Sequence, residues 1–90
     1  MKATLGEYEI PQGASRITIG SAADNDLVIA GLSPYHATIL CDHDAFILRP
    51  LGFLDTWLNG ERVHIECSLQ SGDVVNLGGA HMQFQVEEPD

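Results

Sequence analysis

Apolar residues in this chain recur at every second position, and turn residues interrupt them before any helical period can build. Ala80, Met82, Phe84 and Val86 alternate with His81, Gln83 and Gln85, the pattern of a strand with one face buried. Val63 and Ile65 alternate with His64 and Glu66, Phe46 and Leu48 flank Ile47, and Ile17 and Ile19 flank Thr18. Leu27-Val28-Ile29 and Ile39-Leu40-Cys41 are continuous apolar runs, which suit strands buried on both faces. Between these lie Pro11-Gln12-Gly13, Asp24-Asn25, Asp42-His43-Asp44, Asn59-Gly60, Ser71-Gly72-Asp73 and Gly78-Gly79, all rich in turn-forming residues. Asn59-Gly60 is the strongest hairpin signal, because both residues tolerate a positive φ. Many short strands at this spacing predict an all-β sandwich with no long helix. Trp57, Ile19, Ile39 and Phe84 are the expected core.

Ninety residues are enough for one domain with a modest core, and too few for a core plus a large cleft. The predicted domain covers 1–86, and the polar ending 87–90 reads as the start of a linker or tail. Thirteen acidic residues against four basic ones give a net charge of −9. That excludes nucleic acid and anionic membrane as expected partners, since both need clustered Lys and Arg. No apolar run approaches the roughly 18 residues of a membrane span. Cys41 and Cys67 read as buried free thiols in a reducing cytoplasm. With His43 and His64 they make Cys-x-His and His-x-x-Cys pairs of mixed spacing, a poor match to a four-ligand zinc site, so no metal or cofactor is expected. No glycine-rich phosphate loop or nucleophile elbow points to an enzyme.

Five groups fall in a fixed order: Ile17-Thr18-Ile19-Gly20-Ser21, Asp26-Leu27-Val28-Ile29, Leu32-Ser33-Pro34-Tyr35-His36-Ala37, Thr56-Trp57-Leu58-Asn59-Gly60 and Leu69-Gln70-Ser71-Gly72-Asp73-Val74-Val75-Asn76-Leu77-Gly78. From about Ile17 to Val86, their order and spacing resemble the forkhead-associated (FHA) domain. That resemblance implies an FHA-like β-sandwich of two antiparallel sheets, used by its members to bind phosphothreonine. Its ligand surface is three loops at one end. The family pattern places Gly-Arg in the first, Ser-x-x-His in the second, and Ser-x-Asn-Gly-Thr in the third, before Asn-Gly.

Against that pattern Gly20 is kept, but Ser21 stands at the arginine position. Ser33 and His36 keep Ser-x-x-His. In the third loop the asparagine position is Asp55, with the following glycine missing. Ser33 reads either as a phosphate-contacting hydroxyl or as a loop serine satisfying its own turn. Asp55 reads either as a partner contact or as a turn aspartate. His36 is expected to tie its loop to neighbouring backbone, with Gly20, Asn59 and Gly60 as the other structural positions. Phe53 and Leu54 stand where the family carries small polar residues, and apolar residues on a loop tip suggest a protein contact.

Two readings of function follow. The first is a non-catalytic, phospho-independent protein–protein interaction domain that binds another protein or peptide through Ser21, Ser33 and the Phe53–Asp55 loop. Within the family, the Gly-Ser and Ser-Pro-x-His sequences look like the cytoplasmic domain of the type III secretion inner-membrane ring protein. That likeness implies a cytoplasmic scaffold, within a membrane-anchored protein and a larger complex, making no direct membrane contact itself. The second is a phosphothreonine reader in bacterial Ser/Thr-kinase signalling. There Ser21 and Ser33 would bind the phosphate, and Arg49, at the end of the strand entering the third loop, would replace the missing arginine.

Overall fold

The computed structural model describes residues 2–43, 45–51 and 55–87. Phe53 and Leu54 therefore lie outside the described residues. The elements in chain order are β1 (Lys2–Leu5), β2 (Tyr8–Ile10), β3 (Arg16–Gly20), β4 (Leu27–Val28), β5 (Ala37–Asp42), β6 (Ala45–Pro50), β7 (Thr56–Leu58), β8 (Glu61–Arg62), β9 (Cys67–Leu69), β10 (Val74–Leu77) and β11 (Ala80–Glu87). Among the described residues no helix occurs, as the strand periodicity predicts. One sheet has six strands in the order β2-β1-β11-β10-β7-β8, the other five in the order β4-β3-β5-β6-β9. The pairing is antiparallel except between β3 and β4, which run parallel with Ile19 opposite Leu27.

The two sheets enclose one core. Leu5, Leu58, Val75, Leu77 and Phe84 enter it from the six-stranded sheet, and Ile17, Ile19, Ile39 and Leu48 from the other. Phe46 and Phe84 meet across it, with ring centroids 5.1 Å apart and planes tilted by 59°. Burying a Phe fully contributes about 3 kcal/mol at most by transfer, and a tilted aromatic pair adds about 1 kcal/mol. The Asn59-Gly60 turn has φ of 53° and 84°, the left-handed pair that a two-residue hairpin between twisted strands demands. The Asn59 side chain extends the turn's hold: its Nδ2 donates to Asp73 Oδ1, and its Oδ1 accepts from the Val74 amide.

Ile19, Ile39 and Phe84 are core residues, but Trp57 is not. It is half-buried, while Thr56 and Leu58 on either side face inward. The register decides this: Thr56 pairs with buried Leu77 and Leu58 with buried Val75, so Trp57 points to the outer face with Asn76 and Arg62. Val28 is likewise exposed, because β4 is a two-residue edge strand rather than a strand covered on both faces. Ile65, expected to alternate within a strand, lies in the crossover 63–66 between the sheets and is 76% exposed. Cys41 and Cys67 are free thiols, half-buried rather than fully buried, on strands separated by β6. Burial still raises the Cys41 thiol above its ordinary pKa.

Candidate functional site

Two connections gather at one end of the sandwich, 21–26 between β3 and β4 and 29–36 between β4 and β5, and Leu51 and Asp55, which flank the β6–β7 connection, lie at the same end. Pairing of Ile19 with Ala37 and of Ala37 with Pro50 sets the strand ends level. Pairing of Thr56 with Leu77 brings the Gly78-Gly79 turn to the same end.

The first two loops are zipped together by backbone. The Ser21 amide donates to the Ser33 carbonyl at 3.0 Å, the Ala22 amide to Pro34 at 3.3 Å, and the His36 amide to Ile19 at 2.8 Å. Asn25, buried between them, donates from Nδ2 to the carbonyls of Ala22 (2.9 Å) and Pro34 (2.7 Å). The approach is so close that a Cβ on Gly20 would stand 2.1 Å from the Pro34 carbonyl oxygen, which no side chain can occupy. Ser21 and Ser33 thus lie side by side, half-buried, and among the described residues neither hydroxyl has a hydrogen-bond partner.

His36 reaches from the second loop to the third. Its ring is 3% exposed, and Nε2 lies 2.8 Å from the Asp55 carbonyl oxygen. A carbonyl only accepts, so Nε2 carries the proton and donates. The Gly78 amide donates to the same oxygen at 3.3 Å. The Leu51 amide donates to the His36 carbonyl, which closes the base of the third loop.

Charge at this end is mostly negative. Segment 21–36 carries Asp24 and Asp26 and no Lys or Arg. Asp26 is engaged by Thr18, whose amide and hydroxyl both donate to its Oδ2. Asp24 accepts from the Tyr35 hydroxyl at 2.8 and 3.0 Å on its two oxygens. That hydrogen bond, then the Asp24 charge, raises the Tyr35 phenol above its ordinary pKa. Asp55 is exposed, with the Arg62 guanidinium 3.7 Å away. Arg49, on the outer face of β6, is ion-paired to Glu66 at 3.0 Å.

Sequence reasoning singled out Ser21, Ser33, His36 and Asp55, which the fold brings to one end. It also named Arg49, which closes the strand entering the third loop and whose guanidinium pairs with Glu66 on the crossover. It missed Asn25, Tyr35 with Asp24, and Arg62. Asp24-Asn25 read only as a turn, Tyr35 lies 11 residues from Asp24 and Arg62 seven from Asp55, beyond what periodicity can see. Among the described residues no three His, Cys, Asp or Glu side chains come together as a metal-binding set. No helix of the described residues is long and apolar enough to cross a membrane.

A β-sandwich that brings Ser21, Ser33 and Asp55 to one pole, with Gly20 under the first loop and His36 pinning the Asp55 carbonyl, defines the class of fold. The family profile described as FHA domain matches residues 17–78, and this chain belongs to that family. Among solved structures it is similar to the FHA domain of the CT664 protein from Chlamydia trachomatis, at 20% identity and a TM-score of 0.88, over 98% of this chain and 100% of that one. It is similar to Mycobacterium tuberculosis EmbR in complex with a low-affinity phosphopeptide, at 24% identity and a TM-score of 0.85, over 99% of this chain. This chain spans only 25% of EmbR. It also resembles the N-terminal FHA domain of S. cerevisiae Rad53p in complex with a phosphothreonine peptide, at 22% identity and a TM-score of 0.72, over 96% of this chain and 92% of that one. At these identities the likeness is one of fold. Comparison with curated protein sequences finds no match.

Proposed function

We propose that this domain is a protein-interaction module that binds its partner through the three-loop end without requiring phosphate. The observation that carries the reading is Ser21. At the position where the family pattern has arginine, the first loop offers one neutral hydroxyl, in a segment with two aspartates and no cation. A charge-assisted hydrogen bond to phosphate contributes about 1.5–3 kcal/mol, so its loss alone removes roughly ten- to a hundredfold of affinity. Asp24 and Asp55 add like charge near a group of roughly −2. Arg49 is held by Glu66, and Arg62 lies closest to Asp55, so neither cation is free to supply the missing fork without breaking an ion pair.

Calorimetric titration with a degenerate phosphothreonine peptide library and its unphosphorylated twin tests this. The expected outcome is no binding that depends on the phosphate. Tight, phosphate-dependent binding that disappears in Arg49→Ala or Arg62→Ala would instead make the domain a phosphothreonine reader, the activity suggested by the phosphopeptide complexes among its structural neighbours.

The setting that fits the reading is a scaffold on the cytoplasmic side of a bacterial secretion apparatus, as the Gly-Ser and Ser-Pro-x-His sequences suggest. Any residues flanking the domain in a longer chain test it: an apolar segment of about 20 residues supports a membrane-anchored ring protein. A kinase or regulatory domain there counts against it.

A further inference from the structure

Tyr35 and Asp24 form a pair that the proposed function leaves unused. Tyr35 is 52% exposed although it is one of the larger apolar side chains at the loop end. Its hydroxyl donates to both oxygens of Asp24, which ties the ring to the first loop. The pair spans the first two loops, beside the Ser21–Ser33 backbone bond. Tyr35 is the only partner of the Asp24 carboxylate among the described residues, and two oxygens with about four lone-pair positions can accept more donors. Asp26, by contrast, already takes two donors from Thr18. An exposed aromatic face rimmed by a carboxylate is a receptor for a cation: the ring attracts it through its quadrupole and the carboxylate through charge-assisted hydrogen bonds. The field agrees, since the chain carries −9 overall and no cation in 21–36, so a basic segment is drawn toward this end.

We propose that the loop end binds a cationic segment of a partner protein, with an arginine or lysine side chain lying on the Tyr35 ring and its head group on the Asp24 carboxylate. The inference rests on the phospho-independent reading above and names the partner chemistry of that site. The family framework is thereby turned over in sign: loops that elsewhere in the family receive an anion receive a cation here.

The test is fluorescence anisotropy with three labelled peptides of one length, built from alanine with interspersed arginine, glutamine or glutamate, at low and high salt. The arginine peptide binds, the glutamate peptide does not, and salt weakens the complex. Asp24→Asn and Tyr35→Leu each lower affinity by about three- to fivefold, the worth of one exposed ion-pair or cation–π contact. Asp42→Asn, which removes the same charge from an exposed carboxylate at the opposite end of the sandwich, changes it less than about twofold by weakening only the general field. Equal losses in Asp24→Asn and Asp42→Asn would overturn the proposal and leave only attraction to an acidic protein. Failure of the arginine peptide to bind overturns it as well. If the glutamine peptide binds equally well and shifts the amide resonances of Ser21, Ser33 and Tyr35, the cation is irrelevant while the phospho-independent site stands. If a phosphothreonine peptide, added as a fourth probe, is the one that binds, both readings fall together.

Discussion

The imidazole of His36 donates across 2.8 Å to the main-chain carbonyl of Asp55, so a side chain of the second loop holds the backbone of the third. This contact joins the sheets as well as the loops, because His36 leads into β5 of the five-stranded sheet and Asp55 into β7 of the six-stranded one.

Replacing His36 with Ala removes that hydrogen bond and empties a site that is 97% enclosed. The expected cost is about 2–4 kcal/mol, combining a cavity with a lost buried hydrogen bond. Urea denaturation measures it, and the amide resonances of 51–55 should shift with it. An unchanged midpoint with undisturbed loop resonances would mean that the third loop is held by other contacts.

Thr56→Val should stabilise the domain. Thr56 is fully buried, and among the described residues its hydroxyl has no hydrogen-bond partner. Removing a desolvated, unpaired hydroxyl while keeping the β-branched shape is worth about 1 kcal/mol. The urea midpoint should rise at constant m-value. A fall would reveal a partner for that hydroxyl, such as an ordered water.

Tyr35 should ionise at higher pH than a free tyrosine, because its hydrogen bond to Asp24, and then the Asp24 charge, favour the neutral phenol. The folded pKa lies above the unfolded value of about 10, so the contribution to stability is complete below that value and is lost as pH rises through the folded one. Ultraviolet titration of Asp24→Asn should move the midpoint back down. The measurement belongs in a Tyr8→Phe background, since Tyr8 is also raised, by burial first and then by Asp26 and Cys41. A Tyr35 midpoint that ignores Asp24→Asn would break the pairing on which the proposed cation site stands.

The strand content was legible in the sequence because alternation and turn chemistry are local. Phe84 and Ile19 could be assigned to the core from spacing alone. Trp57 could not, because the size of a side chain does not give the phase of its strand. The phase was set by the partner strand, where Val75 and Leu77 point inward and Asn76 outward, opposite Trp57. The same limit applies at the loop end. Motif order placed Ser21, Ser33, His36 and Asp55 together, but Arg62 approaches Asp55 only because the Asn59-Gly60 hairpin folds β8 back along β7. The ion pair of Arg49 was out of reach for the same reason, since its partner Glu66 arrives on a crossover between sheets.

The first and last strands lie against each other, Lys2 opposite Glu87, and β11 runs from the Gly78-Gly79 turn at the loop end down to the far pole. Both points of attachment to any flanking polypeptide therefore sit on the side away from the three loops. A tether, a surface or a neighbouring domain joined at either point leaves the loops facing outward, with the eight residues of β11 as the standoff, about 26 Å at the usual rise per strand residue. Immobilised through its ends, the domain presents its loop face to whatever passes in front of it.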